Sequence, residues 1–482
     1  MHGSRRVWND CYARPLTVCA VLVMATLPAQ AQPAQPAQVQ VQAPRRDQTV
    51  RRDSLPNGLT IIVVENHSVP LATAHIVFRG GAMTQTPDIQ GVPHLFEHML
   101  FKSYQGTDAA SFGADASMGK ACYNGATSDE EVSYTLWFPS NELGGNMGLL
   151  ATLVRDPFFK DKDLQTERFV VRNEMQRNAS QPSFLLADAS RRALWGDWYP
   201  RKNTIGDDIS LFSANAERLK TIFSTWYVPN NAAVIVTGDV EPEKVFSEAR
   251  KHFGRWRRAA DPIKANPVPL PPPLDSTFAF VFTHEVQTVT VRLSWRGPTL
   301  TRDAGDVRDA ATFADLLNAD ESQFQRLLVD EGAFQSASMS ADINQHGSEL
   351  TFIGITTLDQ LTSSLGTLGA VLGQTTTIDF FDKTALQSDA KRDRVSRALA
   401  FEETASLASS LGSAWAVNRL GNWTSAASPA ADTSASTPES LSAFALKWIA
   451  NRPYIIGVLT PVGSEQAVST SVAQYVAFMK QP

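Results

Sequence analysis

The spacing of apolar positions changes along the first part of the chain. Leu59-Thr60-Ile61-Ile62-Val63-Val64 is a β-branched run that follows Asn57-Gly58, which predicts a turn and then a strand. Ala72 to Phe78 predicts a second strand, closing at Arg79-Gly80-Gly81. Ordered structure is expected to begin near Asp53-Ser54-Leu55. Beyond Gln90-Gly91-Val92-Pro93 the pattern becomes helical over His94 to Phe101, with Pro93 suited to the first helical position. A second helix is predicted over Lys162 to Arg177.

Pro262 to Pro273 holds six prolines in twelve residues, a density that rules out helix and central strand and reads as a stiff linker. The parts on either side resemble each other. Thr73-Ala74-His75-Ile76-Val77-Phe78-Arg79-Gly80 aligns with Thr290-Val291-Arg292-Leu293-Ser294-Trp295-Arg296-Gly297. Without a gap, the same offset sets Phe96 on Phe313 and Met99-Leu100 on Leu316-Leu317. It sets His94, Glu97 and His98 on Ala311, Ala314 and Asp315. Apolar positions persist while ionisable ones change, as in a duplicated fold with one chemically active copy.

At 482 residues the chain exceeds what one core usually supports, so two or more domains are expected. Apolar residues make up 43%, which leaves ample core material. A net charge of -6 speaks against a nucleic-acid binder. Arg5, Arg6 and Arg14, the apolar run Leu16 to Leu27 and Ala29-Gln30-Ala31 read as an export signal, cut after Ala31. Residues 32–50, rich in Gln, Ala and Pro, read as a flexible tether. Nothing later is long and apolar enough for a transmembrane helix. Of the three cysteines, Cys11 and Cys19 fall in the signal, so a processed chain keeps Cys122 and no internal disulfide is expected. Cys122 reads as a small core residue. Export without disulfides suggests the periplasm.

The chemistry concentrates in His94-Leu95-Phe96-Glu97-His98. On a helix, His94 and His98 stand one turn apart on one face, with Glu97 beside them. Two imidazoles hold zinc, and the carboxylate takes a proton from water that the metal activates. This is the inverse of the commoner His-Glu-x-x-His order. The competing reading is a solvated helix face, but Leu95, Phe96, Met99 and Leu100 make the helix largely apolar, and buried ionisable groups need partners. Zinc needs a third protein ligand. Glu130, Glu131, Glu142, Glu167 and Glu174 are candidates. Glu167 and Glu174 lie seven apart and share a helix face, which favours them as one ligand and one acid that orients a histidine. Spacing does not assign the two roles, and a charged outer face is the alternative.

The chain resembles the pitrilysin/insulinase family of zinc peptidases, which includes the mitochondrial processing peptidase. The resemblance rests on Gly91-Val92-Pro93-His94-Leu95-Phe96-Glu97-His98-Met99-Leu100-Phe101-Lys102, Asn124-Gly125-Ala126-Thr127-Ser128, and Glu167 through Asn173-Glu174. It continues through Trp226-Tyr227-Val228-Pro229-Asn230-Asn231, Thr237-Gly238-Asp239-Val240 and Phe253-Gly254-Arg255-Trp256. It implies one zinc per chain on His94, His98 and Glu174, with Glu97 as general base and Glu167 as the orienting acid. It implies an α+β fold of two homologous domains, each a mixed sheet packed against helices, joined by the Pro-rich linker. The expected division is 51–260 with the metal, 261–275 as linker, and 276–482 without ligands. Peptide substrates are expected to add as a strand along Asn124, Gly125 and Ala126.

One departure is informative. Active relatives carry an arginine and a tyrosine, seven apart, that grip substrate and stabilise the oxyanion. In the matching stretch, Phe324 to Ser336, the arginine position falls on Val329 and the tyrosine position on Phe334, Gln335 or Ser336. Arg326 is the one residue that offers a shifted substitute. A lost oxyanion donor costs roughly a hundredfold or more in rate. The resemblance therefore implies a heterodimer in which a second chain of the same fold supplies the pair and closes a chamber. The alternative is a non-catalytic assembly or peptide-binding subunit of the same fold.

Overall fold

The computed structural model describes residues 49–104, 112–420, 436–450 and 452–479. The expected export signal and nearly all of the tether lie outside the described residues.

The fold is α+β, with two homologous domains that each pack a mixed sheet against helices. The first half contributes β1 (Arg51–Ser54), β2 (Thr60–Glu65), β3 (Leu71–Arg79), β4 (Cys122–Thr127), β5 (Glu131–Pro139) and β6 (Ala232–Gly238). They lie in the order β1-β2-β6-β3-β5-β4. The second half contributes β7 (Phe278–His284), β8 (Val289–Arg296), β9 (Ser336–Asp342), β10 (Glu349–Thr356) and β11 (Tyr454–Pro461), in the order β7-β11-β8-β10-β9. β2–β6 and β7–β11 are the parallel pairs, and the other pairings are antiparallel. Apart from the extra hairpin strand β1, the second sheet repeats the first. The short internal repeat in the sequence is therefore a repeat of topology.

The β1–β2 hairpin turns through Asn57-Gly58, where Gly58 has φ +92°. A Cβ there would also sit 2.8 Å from the Asn230 side chain, so the position needs glycine on both counts. On its inner face the first sheet packs against α1 (Val92–Lys102), α2 (Leu143–Arg155), α3 (Asp161–Ala179) and α5 (Pro242–Phe253). α4 (Pro182–Trp195) takes a different course. In the second half α6 (Ala304–Asn318), α7 (Leu361–Gln374) and α9 (Glu465–Phe478) form the equivalent layer. Phe96, Met99 and Leu100 of α1 and Phe313, Leu316 and Leu317 of α6 are all buried in their own cores.

The outer sheet faces explain why β3 is buried on both sides. Ile62, Val64, Val77, Ala233 and Ile235 are covered by Leu407, Leu411 and Trp415 of α8 (Thr404–Ala416), a helix of the second half. Burying three such side chains contributes about 5–9 kcal/mol of gross hydrophobic stabilisation. In return, Leu194 and Trp195 of α4 pack with Phe280 and Ile455 on the outer face of the second sheet. Each half lends the other a helix. A cut at the linker would leave both sheets with an uncovered apolar face.

One expectation is corrected. Pro262–Ala265 forms one helical turn inside the linker, because Pro262 at the first position has no N–H to lose and Asp261 accepts from the N–H groups of Ile263 and Lys264. Residues 267–275 run without regular structure, with Pro269 accepting from Trp198 Nε1 at 3.0 Å.

Candidate metal centre

α1 begins at Gly91, whose φ of +76° turns the chain into the helix, and Pro93 sits in the first turn. The helix buries Val92, Leu95, Phe96, Met99 and Leu100. That fixes its rotation and leaves His94, Glu97 and His98 toward α3 and the edge strand β4. On α3, Glu167, Val171 and Glu174 recur at helical spacing on the face that meets α1.

The donor atoms of His94, His98 and Glu174 all lie within 4.8 Å of one another. Both imidazole Nε2 atoms are 3.7 Å from Glu174 Oε2. Zinc bonds of about 2.1 Å to a shared ion set donors roughly 3.4 Å apart, close to these two 3.7 Å separations. Glu167 Oε2 lies 3.3 Å from His98 Nδ1, on the far side of the ring from Glu174. Glu167 Oε1 lies 3.4 Å from Lys102 Nζ. Burial opposes ionisation of Glu167, but His98 and Lys102 together hold its carboxyl below the usual range. Burial likewise disfavours a charged His98, yet Glu167, Glu97 and Glu174 outweigh it and raise the ring's basicity. Three carboxylates around two imidazoles make a cluster that draws a cation. Two nitrogens and one carboxylate oxygen are a donor set that fits zinc.

Glu97 is 3% exposed. Burial pushes its carboxyl up to about 7, while His98 and a hydrogen bond from Thr127 pull the other way. Thr127 Oγ1 donates to Glu97 Oε2 at 2.8 Å. Gly125, two residues earlier on the same face of β4, lets the strand come close. A Cβ there would stand 2.6 Å from Glu97 Oε1 and 2.9 Å from the Phe101 ring. Asn124 and Ala126 alternate to the other face, and Asn124 Oδ1 is buried without a hydrogen-bond partner. Phe101, Phe112 and Tyr123 pack together behind the strand, with ring centroids 4.9–5.3 Å apart. Thr127 lies within the motif that carries the resemblance, but its hydrogen bond to Glu97 is a tertiary contact that spacing along β4 does not encode.

The remaining acidic candidates lie elsewhere. Glu142 pairs with Lys120 at 2.9 Å. Glu130 is bound to Arg201 and Glu131 to Ser413, both away from the histidines. In the second half Phe324 and Phe334 are buried and pack on Phe352, and Arg326 is exposed. The two tyrosines of that half, Tyr454 and Tyr475, are buried in its core.

Comparison with known proteins places this geometry. A family model described as "Insulinase (Peptidase family M16)" matches residues 60–202, and one described as "Peptidase M16 inactive domain" matches residues 213–372. An uncharacterized zinc protease of Streptomyces coelicolor is 24% identical over 214 residues, covering 44% of this chain and 47% of that protein. A probable zinc protease PqqL of Haemophilus influenzae is 29% identical over 218 residues, 43% of this chain and 23% of that protein. These alignments reach about half the length of the curated relatives, or less. Among solved structures, a protease from Helicobacter pylori superposes with a TM-score of 0.75 at 21% identity, covering 86% of this chain and all (100%) of that one. The periplasmic protease PqqL from Escherichia coli gives 0.73 at 15% identity, covering 91% of this chain and 51% of that one. At these identities the structures speak for the fold. No described helix is long and apolar enough to cross a membrane.

Proposed function

We propose, from the premise that this chain belongs to the insulinase family of M16 peptidases, that it is an exported zinc endopeptidase subunit. One observation carries the reading: His94, His98 and Glu174 converge while Glu97 stands beside them against the edge strand. In this reading those three residues hold one zinc. When bound, the metal supplies Lewis-acid activation of water and of the scissile carbonyl. Glu167 orients His98 through Nδ1 and leaves Nε2 to face the metal. Glu97, buried beside the three ligands with one oxygen held by Thr127, is placed to accept a proton from the attacking water and return it to the leaving amine. Thr127 holds one Glu97 oxygen and leaves the other for that exchange. A peptide adds to the outer edge of β4, which among the described residues is paired on one side only, by β5.

The stretch from Phe324 to Ser336 holds Arg326 at a shifted position and no tyrosine, so the expected pair is missing there. The Escherichia coli PqqL chain, about half of which this fold covers, is long enough for a second unit. Both facts favour a heterodimer in which a second chain of the same fold closes the chamber and supplies the gripping pair. The periplasm is the proposed compartment, on the strength of the N-terminal pattern. The test is peptide hydrolysis by the zinc-loaded chain alone and mixed with a half-length partner, each compared with Glu97→Gln. The reading expects hydrolysis by the mixture only, falling by roughly a hundredfold to ten-thousandfold in Glu97→Gln. Full activity from the isolated chain overturns the heterodimer. Zinc bound with no hydrolysis by the mixture favours a peptide-binding subunit.

A further inference from the structure

The hairpin joining β4 to β5 is fastened to the second half of the molecule through Glu130 and Glu131. β4 ends at Thr127, the residue that holds Glu97. The acidic residues that follow all pair outward. Asp129 takes Arg191 of α4, a helix of its own half that covers the second sheet. Glu131 Oε1 accepts from Ser413 Oγ on α8 at 2.7 Å. Glu130, 3% exposed, is the most deeply engaged. Its Oε1 accepts from Arg201 Nη2 at 2.6 Å and from the His346 N–H at 2.8 Å. Its Oε2 accepts from the Gln345 N–H at 2.8 Å. Arg201, 1% exposed, in turn donates from Nε to the Gly347 carbonyl at 2.9 Å.

This carboxylate has a full set of donors, two of them backbone groups of the second half. Charged hydrogen bonds of this kind are short, directional and strong. Removing the carboxylate would strand a buried guanidinium and two N–H groups. Burial of α8 and α4 already supplies apolar adhesion between the halves. The ionic anchor adds position, and the element it positions is the hairpin that carries Gly125 and Thr127. We propose that Glu130 is a positioning residue: through it the second half, which lacks the metal ligands, sets the height of β4 over Glu97. The inference rests on the reading of Glu97 and β4 given above.

The test uses the full chain, loaded with zinc and mixed with its partner. Glu130→Ala is expected to keep one zinc per chain, because the ligands stand on α1 and α3. Amide exchange in residues 122–127 should quicken by at least about tenfold, while peptides from 92–102 and 161–179 keep their wild-type rates. The turnover number should fall by about tenfold or more, and Glu130→Gln, which retains one acceptor, should recover part of it. If Glu130→Ala does not fold, His346→Pro removes one donor and leaves the ion pair. It should loosen the same segment, and His346→Ala should not. Wild-type exchange in 122–127 overturns the proposal, as does equal loosening of 92–102. Selective loosening in a wild-type background that cleaves nothing would leave the anchor standing and sink the peptidase reading instead.

Discussion

Glu167 Oε2 sits 3.3 Å from His98 Nδ1, while its other oxygen lies 3.4 Å from Lys102. One carboxylate thus aligns an imidazole from behind and is itself held from the surface side. The His98 ring cannot turn without losing this partner. Glu167→Gln is expected to leave the fold intact and weaken zinc by about 10- to 100-fold. Competition with a chelator measures it. Unchanged zinc affinity would remove Glu167 from the site.

Gly125 is the second point at which geometry sets chemistry. In Gly125→Ala the new methyl would lie 2.6 Å from Glu97 Oε1. The carboxylate is the movable party, so it should swing away from the edge strand. Zinc content should stay at the wild-type level and turnover should drop by about a hundredfold, the usual cost of an ångström-scale misplacement. Steady-state kinetics with zinc analysis checks both. An alanine variant with wild-type turnover would show that β4 does not need this close approach.

Beneath α8 lie two titrating groups of opposite sense. Burial lowers His75 from 6.5 to about 4. Its Nδ1 pairs with Thr135 Oγ1 at 2.8 Å, and Gly412 of α8 passes close to its Nε2. Between those two values the unfolded chain binds the proton and the folded one does not. His75 therefore costs stability progressively as pH falls from 6.5 toward 4, by up to ~3 kcal/mol. Burial raises Glu131 from 4.5 to about 7, against the Ser413 hydrogen bond. Here the folded chain holds the proton longer, so the group costs stability as pH rises from 4.5 to 7. Urea unfolding across pH 4 to 8 should show His75→Gln gaining on wild type toward the acid end and Glu131→Gln gaining toward neutrality. Parallel curves for either variant would contradict its assignment.

Much of the centre was legible because it is local. His94, Glu97 and His98 sit within one helical turn, and helix period alone brings them to one side. Glu167 and Glu174 were legible as a pair sharing a face, because α3 is regular throughout. Their separate roles depend on how α3 crosses α1, a tertiary matter that spacing does not encode. Glu130 looked like a candidate ligand because a charged turn residue carries no mark of the half it will face. The exchange of α4 and α8 was equally hidden. Each is an ordinary amphipathic helix in sequence, and nothing local says which sheet it will cover.

The central claim is that His94, His98 and Glu174 hold one zinc. The measurement that tests it most directly is zinc stoichiometry and affinity in the purified full-length chain beside Glu174→Gln. The account predicts one zinc per wild-type chain, and an affinity loss on the order of a hundredfold or more in the variant, with an unchanged thermal transition of the metal-free proteins. A Glu174→Gln chain that binds zinc as tightly as wild type would contradict it.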